Sequence, residues 1–152
     1  MRFSKNNGAE DSFFIFNLSL VAKKICFCSA ILYNHSNINP HSFTNKLGKS
    51  VFIDLVDVLN QKEKLLKNLN KFNEVKTEFY IHVVKHLTYL IFKEASRSRN
   101  YNYFVECVMV AKRSRLWNLI LKDTSNLPLD IRFKLFLSNF PFLIFICKSF
   151  FK

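Results

Sequence analysis

The sequence predicts an all-α protein, a small bundle of four to five helices with a poorly ordered or additional N-terminal segment. Apolar residues recur with the 3.6-residue period of a helix through most of residues 50–136. With two Gly and three Pro in 152 residues, the chain is neither collagen-like nor a Pro/Gly-rich disordered tract. Apolar residues make up 49% of the composition, enough for one core in a chain of this length.

Residues 1–49 are predicted to be an N-terminal extension, and residues 50–152 the helical domain. The boundary is indicated by residues 34–42, which are rich in Asn and Ser and contain Pro40. Asn and Ser side chains compete for backbone hydrogen bonds, and Pro disfavours helix in the residue before it. This segment is therefore the clearest linker in the chain.

The extension contains a short apolar run at residues 13–22, separated by Lys23 and Lys24 from a second apolar patch at 25–33; the run resembles a secretion signal in length alone. Glu10 and Asp11 stand where a signal carries positive charge, and the run is too short to span a bilayer before Lys23 and Lys24 end it. We therefore expect a buried or poorly ordered segment of a cytoplasmic protein.

The first helix of the domain is expected to begin at Ser50, whose hydroxyl can cap it, and to run for about 20 residues. Its apolar stripe includes Leu59 and Leu66. Lys62 and Glu63 fall largely on the opposite side, which an amphipathic helix turns to solvent.

A second helix is expected from about Thr77, because asparagines at 68, 70 and 73 weaken the end of the first. One continuous helix through residues 72–77 is the alternative. Asn102 is expected to cap a third helix that ends at Asp123.

A short loop at residues 124–126 then leads into a fourth helix. Pro128 is predicted in its first turn, where the missing N–H costs nothing, and Asp130 in the same turn, where the helix dipole favours a carboxylate. Pro141 is expected to kink or stop this helix.

The remaining tail is strongly apolar, with Phe142 and Phe145 as candidate partner-binding residues. About 13 apolar residues precede Lys148, fewer than the roughly 20 that a membrane anchor needs. The tail therefore either completes the core or forms an exposed surface for a partner or for peripheral contact with a membrane.

The sequence contains no complete motif for catalysis, for a cofactor or for a metal site. Phosphate-binding glycine motifs and paired carboxylates are missing, so an enzyme is not expected. His82 and His86 have a metal-ligand spacing, but Val83 stands where the zinc-protease motif requires Glu. The cysteines show no disulfide or zinc spacing; they are Cys26, Cys28, Cys107 and Cys147.

Positive charge is concentrated in the C-terminal half. Residues 79–152 carry twelve Lys/Arg against four Asp/Glu, a difference of +8 in a total of +12. A solvated basic face explains this excess, and an acidic partner, nucleic acid or anionic lipid is the alternative. Four arginines alternate with aromatic residues or flank the tryptophan, and they are candidate partner-binding residues: Arg97, Arg99, Arg113 and Arg115.

One stretch resembles a known family. Its residues are Leu116, Trp117, Asp123, Leu127, Pro128, Asp130 and Arg132. Their order is similar to that of the FlaF family of alphaproteobacterial flagellar regulators, which typically reads N-R-x-L-W, an acidic residue, then L-P-x-E-L-R. The similarity covers about residues 77–147, with Asp130 at the family's Glu.

The resemblance implies a small, all-helical, non-enzymatic protein that controls flagellin synthesis or export by binding flagellin, or another flagellar protein, in the cytoplasm. An amphipathic or apolar surface offered to a flagellin helix would be the mode of binding. The matching residues also have structural explanations. Trp117 is expected to anchor the third helix to the fourth, and Arg132 to reach Asp123 or nearby loop carbonyls.

Overall fold

The computed structural model of the chain describes residues 10–24, 26 and 48–147. Within these ranges the protein is all-α, as predicted. The helices are α1 (Glu10–Val21), α2 (Lys49–Asn68), α3 (Lys76–Arg97), α4 (Tyr101–Lys112), α5 (Arg115–Lys122), α6 (Leu129–Ser138) and α7 (Pro141–Ile146), with a 3-10 turn at Thr124–Asn126.

α3 is the central helix, and it contacts α2, α4, α5, α6 and α7. Its buried positions continue along the whole helix because apolar residues recur at helical spacing from Phe79 to Ala95. Val83, Leu87 and Ile91 have no exposed surface. The other helices therefore build one core around α3.

α2 and α3 are separate helices, so the alternative of one continuous helix is wrong. Asn70 adopts a positive φ of 55°, a conformation that Asn tolerates at the end of a helix. The N–H of Lys71 donates to the carbonyl of Leu66 at 2.9 Å, and that of Asn70 to Lys67 at 3.0 Å. These bonds form the paired pattern that terminates many helices.

The start of α2 corrects the predicted cap at Ser50. Gly48 precedes the helix with a φ of 109°, and no side chain caps it. The backbone N–H of Gly48 instead donates to the buried Oε2 of Glu94 on α3, at 2.8 Å. A tertiary contact with α3 thus fixes this end of α2, and the residues around Ser50 carry no sign of it in the sequence.

Gly48→Ala is expected to lower the free energy of unfolding by about 1–3 kcal/mol. The φ of 109° strains any L side chain, and the Tyr103 hydroxyl would have to move away from a Cβ at this position. Urea denaturation measured by circular dichroism checks the loss. Ser50→Ala is the control and should change stability by less than about 0.5 kcal/mol, because the exposed Ser50 makes no capping bond. A Gly48→Ala protein as stable as the wild type would contradict this account.

The predicted third helix is two helices, which corrects both its continuity and its cap. Asn100, not Asn102, caps α4, because its side chain accepts from the Tyr103 N–H. α4 ends at Lys112, and Ser114 adopts an extended conformation in which its hydroxyl accepts from the Trp117 N–H at 3.2 Å. A second cap therefore starts α5.

The C-terminal helices agree more closely with prediction. Pro128 lies one residue before α6 rather than in its first turn, and its carbonyl accepts from Ile131 and Arg132. Asp130 is in the first turn, as predicted. α6 stops at Ser138, and Pro141 becomes the first residue of α7.

The apolar run near the N-terminus forms α1, which packs on α2. Phe16 and Leu20 lie against the core, whereas Ile15, Leu18 and Val21 are exposed. The linker predicted at residues 34–42 lies outside the described residues, so the domain boundary near residue 49 stays a prediction. Among the described helices none is long and apolar enough to cross a membrane.

Candidate interaction surface

Three of the seven residues of the family resemblance, Leu116, Trp117 and Leu127, are buried at the corner between α5 and α6, whereas Pro128, Asp130 and Arg132 are exposed. Leu116 and Trp117 on α5 are each 1% exposed, and Leu127 is buried just before α6. The Ser114 cap sets the start of α5, so that Trp117 faces the core shared with α3 and α4. Trp117 is therefore a core residue, as expected, but α5 packs mainly on α3 and α4 rather than on α6, the predicted fourth helix.

The loop after α5 is held by a partner that the sequence analysis did not name. Asp123 lies 2.5 Å from the Nζ of Lys76 at the start of α3, and Asn126 donates to its other oxygen at 2.6 Å. These bonds, led by that with Lys76, lower the pKa of Asp123. Arg132, predicted to reach this loop, is exposed on α6.

Two of the four candidate arginines lie together. Arg97 and Arg99 line an open depression of about 360 Å³ between the end of α3 and the start of α4, with Tyr103 beside them. Arg113 is exposed beyond the other end of α4. That helix has 12 residues, which correspond to a length of about 18 Å.

Arg115 has a structural partner rather than an open position. Its guanidinium donates to the carboxylate of Glu63, which is 1% exposed on α2. Lys67 contacts the other oxygen of Glu63 at 2.8 Å. Burial of Glu63 contradicts the expectation that it faces solvent. The four arginines predicted to bind a partner therefore do not share one surface: Arg115 is paired with Glu63, whereas Arg97 and Arg99 line the depression.

Lys62 is also buried, at 3% exposure, against the same expectation. Its Nζ donates to the Ser12 hydroxyl of α1 at 2.8 Å and lies 5.2 Å from the centre of the Phe16 ring. α1 covers this part of α2 and removes Lys62 from water. A helix outside the predicted domain thus accounts for the burial.

The most prominent feature is an exposed apolar surface on the last two helices, here called the α6–α7 face. It consists of Leu129, Phe133, Phe136, Phe140, Phe142, Leu143 and Ile146, each at least 42% exposed. The first four recur at intervals of four, three and four residues, which places them on one side of α6 and its end. The rings of Phe136 and Phe140 lie 5.0 Å apart.

The opposite side of α6 is buried through Ile131, Leu135 and Ser138, so α6 is apolar on both sides. Monomeric proteins seldom expose several large apolar side chains close together unless the surface binds something. The α6–α7 face is therefore the candidate interaction surface.

The two predicted tail residues separate on α7. Phe142 is 58% exposed on the face, and its ring makes a T-shaped contact with that of Tyr101, with the ring centres 6.1 Å apart. Phe145 turns inward, and its ring stacks on that of Phe104 at 5.6 Å. α7 therefore completes the core on one side and is exposed on the other. Residues 148–152 of the predicted tail lie outside the described residues, and a partner or membrane for the exposed side stays a prediction.

The sequence analysis missed the four members of the face that precede α7. Their helical spacing is visible in the sequence, but Ile131 and Leu135 give an equally apolar pattern on the other side. Periodicity identifies a helix without telling which of two apolar sides is covered.

The histidine pair occupies a different place, on the side of α3 near α1. The rings of His82 and His86 lie 4.3 Å apart. Partial burial, followed by the charges of His86 and Lys62, lowers the pKa of His82 to about 4; partial desolvation, followed by the charge of Lys62, also lowers the pKa of His86. Where the structure describes side chains, no group of three or more His, Cys, Asp or Glu residues is arranged to hold a metal ion.

Comparison of the chain with protein-family models, with curated proteins and with solved structures found no match. The α6–α7 face and the corner around Trp117 are therefore interpreted from their own geometry.

Proposed function

We propose that this protein is a non-enzymatic binding protein whose α6–α7 face receives an amphipathic helix of a partner protein. The observation that carries the proposal is the group of seven exposed Leu, Phe and Ile side chains on α6 and α7. The resemblance of Leu116–Arg132 to the FlaF family suggests the partner: flagellin, whose synthesis or export the protein would control in the cytoplasm.

The chemistry of the face supports a helix as its occupant. Phe133 and Phe136 project from successive turns of α6, and such regularly spaced rings complement the i, i+3, i+4, i+7 apolar stripe of a partner helix. Full burial of one Phe side chain contributes about 1.5–3 kcal/mol. Phe133 and Phe136 are 59% and 57% exposed in the free protein, so much of that energy is available for binding.

Charge favours a partner with acidic residues around its apolar stripe. The chain carries a net charge of +12. On α6 itself, Arg132 is exposed next to Phe133 in the sequence, and the Nζ of Lys134 lies 3.7 Å from a carboxylate oxygen of Asp130. Opposite charge at the rim of an interface mainly raises the association rate and sets orientation.

Purified protein and the cognate flagellin are expected to co-elute in size-exclusion chromatography. The double variant Phe133→Ser/Phe136→Ser should raise the Kd at least about tenfold, because two exposed rings no longer contribute about 1.4 kcal/mol or more together. Tyr89→Ser, which removes a 64% exposed aromatic side chain from α3, is the matched control and should leave the Kd unchanged. Failure of the wild-type proteins to co-elute, or full affinity in the double variant, would remove the main support for this function.

A membrane surface is the second candidate, because the same exposed Phe and Leu side chains accompany the +12 charge. Flotation with vesicles of neutral phosphatidylcholine, and of phosphatidylcholine mixed with phosphatidylserine, separates it from flagellin binding. Peripheral membrane binding would be favoured if the wild-type protein floats with the anionic vesicles, the variant Phe133→Ser/Phe136→Ser does not, and no flagellin complex forms.

A further inference from the structure

We propose that the exposed side of α4 binds single-stranded nucleic acid. This side contains two open depressions, here together called the α4 track, one at the start of the helix and one along its later turns. The cations of the track are Lys49, Arg97, Arg99 and Arg113. The α4 track shares no residue with the α6–α7 face, so it gives the protein a second kind of partner.

The first depression of the track lies between the end of α3 and the start of α4. Ser98 ends α3 in an extended conformation, with φ −69° and ψ 133°, and its neighbours Arg97 and Arg99 are both exposed. Both arginines line the same space of about 360 Å³. Guanidinium groups bind phosphate oxygens through paired N–H donors, so two of them around one open space favour a phosphate.

The second depression, of about 180 Å³, extends the track along α4. Its cations are Lys49 at the start of α2 and Arg113 just after the end of α4, and Val105, Met109 and Val110 also line it. Cations therefore stand near both ends of the helix. A long anion can contact both groups at once, whereas a single small anion cannot.

The two depressions lie along one side of α4. Tyr103 in the first, and Glu106 and Val110 in the second, recur at intervals of three and four residues, which is the spacing of one helical face. The start of α2 joins them, because the Tyr103 hydroxyl lies against Gly48 and the Nζ of Lys49 lies 3.8 Å from a carboxylate oxygen of Glu106. A stacked strand carries one phosphate about every 3.4 Å, so a helix of about 18 Å can place several phosphates along the track.

The charges of the track favour an anionic ligand. Four cations line the two depressions against two carboxylates, those of Glu94 and Glu106. Glu94 is 3% exposed and accepts from the backbone N–H of Gly48 at 2.8 Å, so this carboxylate is turned into the protein. Since the whole chain carries +12, a polyanion is also attracted from a distance.

Tyr103 favours a nucleic acid over an acidic peptide. It is 44% exposed and lines the same depression as Arg97 and Arg99. Its hydroxyl is turned towards Gly48 and is hydrogen-bonded to the thiol of Cys107, so the ring provides the exposed surface. An aromatic ring beside cations that bind phosphates is the arrangement on which bases of a single strand stack.

Fluorescence anisotropy with labelled 12-nucleotide single strands of mixed sequence, one of RNA and one of DNA, tests the arginines in the full chain. Arg97→Ala/Arg99→Ala is expected to raise the Kd at least about tenfold at 100 mM NaCl. The plot of log K against log salt concentration should become shallower by about 1.4, because each lost phosphate contact removes about 0.7. Tighter binding of one strand identifies the preferred sugar, and binding of either supports the proposal.

The matched control removes the same charge elsewhere. Lys71 and Lys85 are exposed, Lys71 beyond the end of α2 that is opposite to Lys49, and Lys85 in the middle of α3. Lys71→Ala/Lys85→Ala should keep the Kd within about threefold of the wild type and leave the salt slope unchanged. An equal loss in the two double variants would show that only the net charge matters, and the α4 track would be rejected.

A strand without bases tests the role of Tyr103. An abasic strand of equal length and charge should bind the wild type at least about fivefold more weakly, since stacking of one base on an aromatic side chain is lost. In Tyr103→Leu, whose fold circular dichroism checks, the two strands should bind within about twofold of each other.

The proposal is overturned if neither single strand binds the wild type or if the abasic strand binds equally well. It is also overturned if polyglutamate, at the same concentration of charge, displaces the strands as well as unlabelled nucleic acid does, because an acidic peptide would then be the ligand. Phe133→Ser/Phe136→Ser should bind the strands as the wild type does. Loss of nucleic-acid binding and loss of the flagellin complex are therefore separate results.

Discussion

Replacing Arg115 by Met is expected to lower the free energy of unfolding by about 3 kcal/mol. The substitution leaves the carboxylate of Glu63, which is 1% exposed, without its guanidinium partner. Removal of one partner of a buried ion pair typically costs 3–5 kcal/mol. The lower end applies here because Lys67 still contacts Glu63 and because 56% of the Arg115 side chain is in water.

A double-mutant cycle separates the pair from the packing of Arg115. Glu63→Met removes the buried charge together with its desolvation cost, and Glu63→Met/Arg115→Met should be at least about 1 kcal/mol more stable than Arg115→Met alone. Urea denaturation followed by circular dichroism gives each free energy. Arg113→Met is the control: Arg113 is exposed, and its replacement should cost less than about 0.5 kcal/mol. Equal effects of Arg113→Met and Arg115→Met would contradict a structural role for the pair.

This result bears directly on the basic patch inferred from the sequence. The charge pattern alone treats Arg113 and Arg115 as equivalent, but Ser114 between them starts a new helix and directs Arg115 towards α2. Arg115 consequently stabilises the fold, and Arg113 remains exposed. A phosphate-binding function of this region would depend on Arg97 and Arg99 instead.

Most of the helices within residues 48–147 could be predicted from the sequence, because each has a continuous apolar side that packs into the core around α3. The start of α3 was predicted to within one residue, since the helix begins at Lys76 and was expected from about Thr77. The break at Ser114 was missed because neither Gly nor Pro marks it, and apolar residues continue in helical register across it. A serine cap within a basic run is a weak signal until the partners of both helices are known.

The buried charges could not be predicted, because their burial depends on other elements. Lys62 and Glu63 lie opposite the apolar stripe of α2 in sequence terms, yet α1 covers Lys62 and Arg115 of α5 pairs with Glu63. Long-range contacts of this kind leave no local pattern. The α6–α7 face is unpredictable for the converse reason: residues such as Phe133 have the composition of a core but no covering element in the described chain.

Trp117→Ala is expected to lower the free energy of unfolding by about 4 kcal/mol, the largest effect of any single substitution considered. Trp117 is the only Trp, is 1% exposed, and belongs to the core that α5 shares with α3 and α4. Truncation of a buried Trp removes its apolar contacts and leaves a cavity. Urea denaturation followed by circular dichroism measures the loss, because tryptophan fluorescence is absent in the variant. A loss below about 1.5 kcal/mol would show that Trp117 is not a main core residue.

Trp117→Phe should cost much less, about 1 kcal/mol. The indole Nε1 is buried and has no hydrogen-bond partner among the described residues, so the smaller ring loses volume but no hydrogen bond. Removing an unpaired buried donor offsets part of the packing loss. The difference between the Ala and Phe variants thus measures the packing of the aromatic ring at this corner.

Trp117→Phe also tests whether Trp117 supports the fold or contacts the partner directly. Trp117 lies in the core, whereas the proposed docking residues Phe133 and Phe136 are exposed on α6. Trp117→Phe should therefore leave the flagellin Kd within about twofold of the wild type at temperatures where the protein is folded. If Trp117→Phe instead raises the Kd more than Phe133→Ser/Phe136→Ser does, then flagellin must engage the corner itself, and the exposed rings of α6 would need another partner.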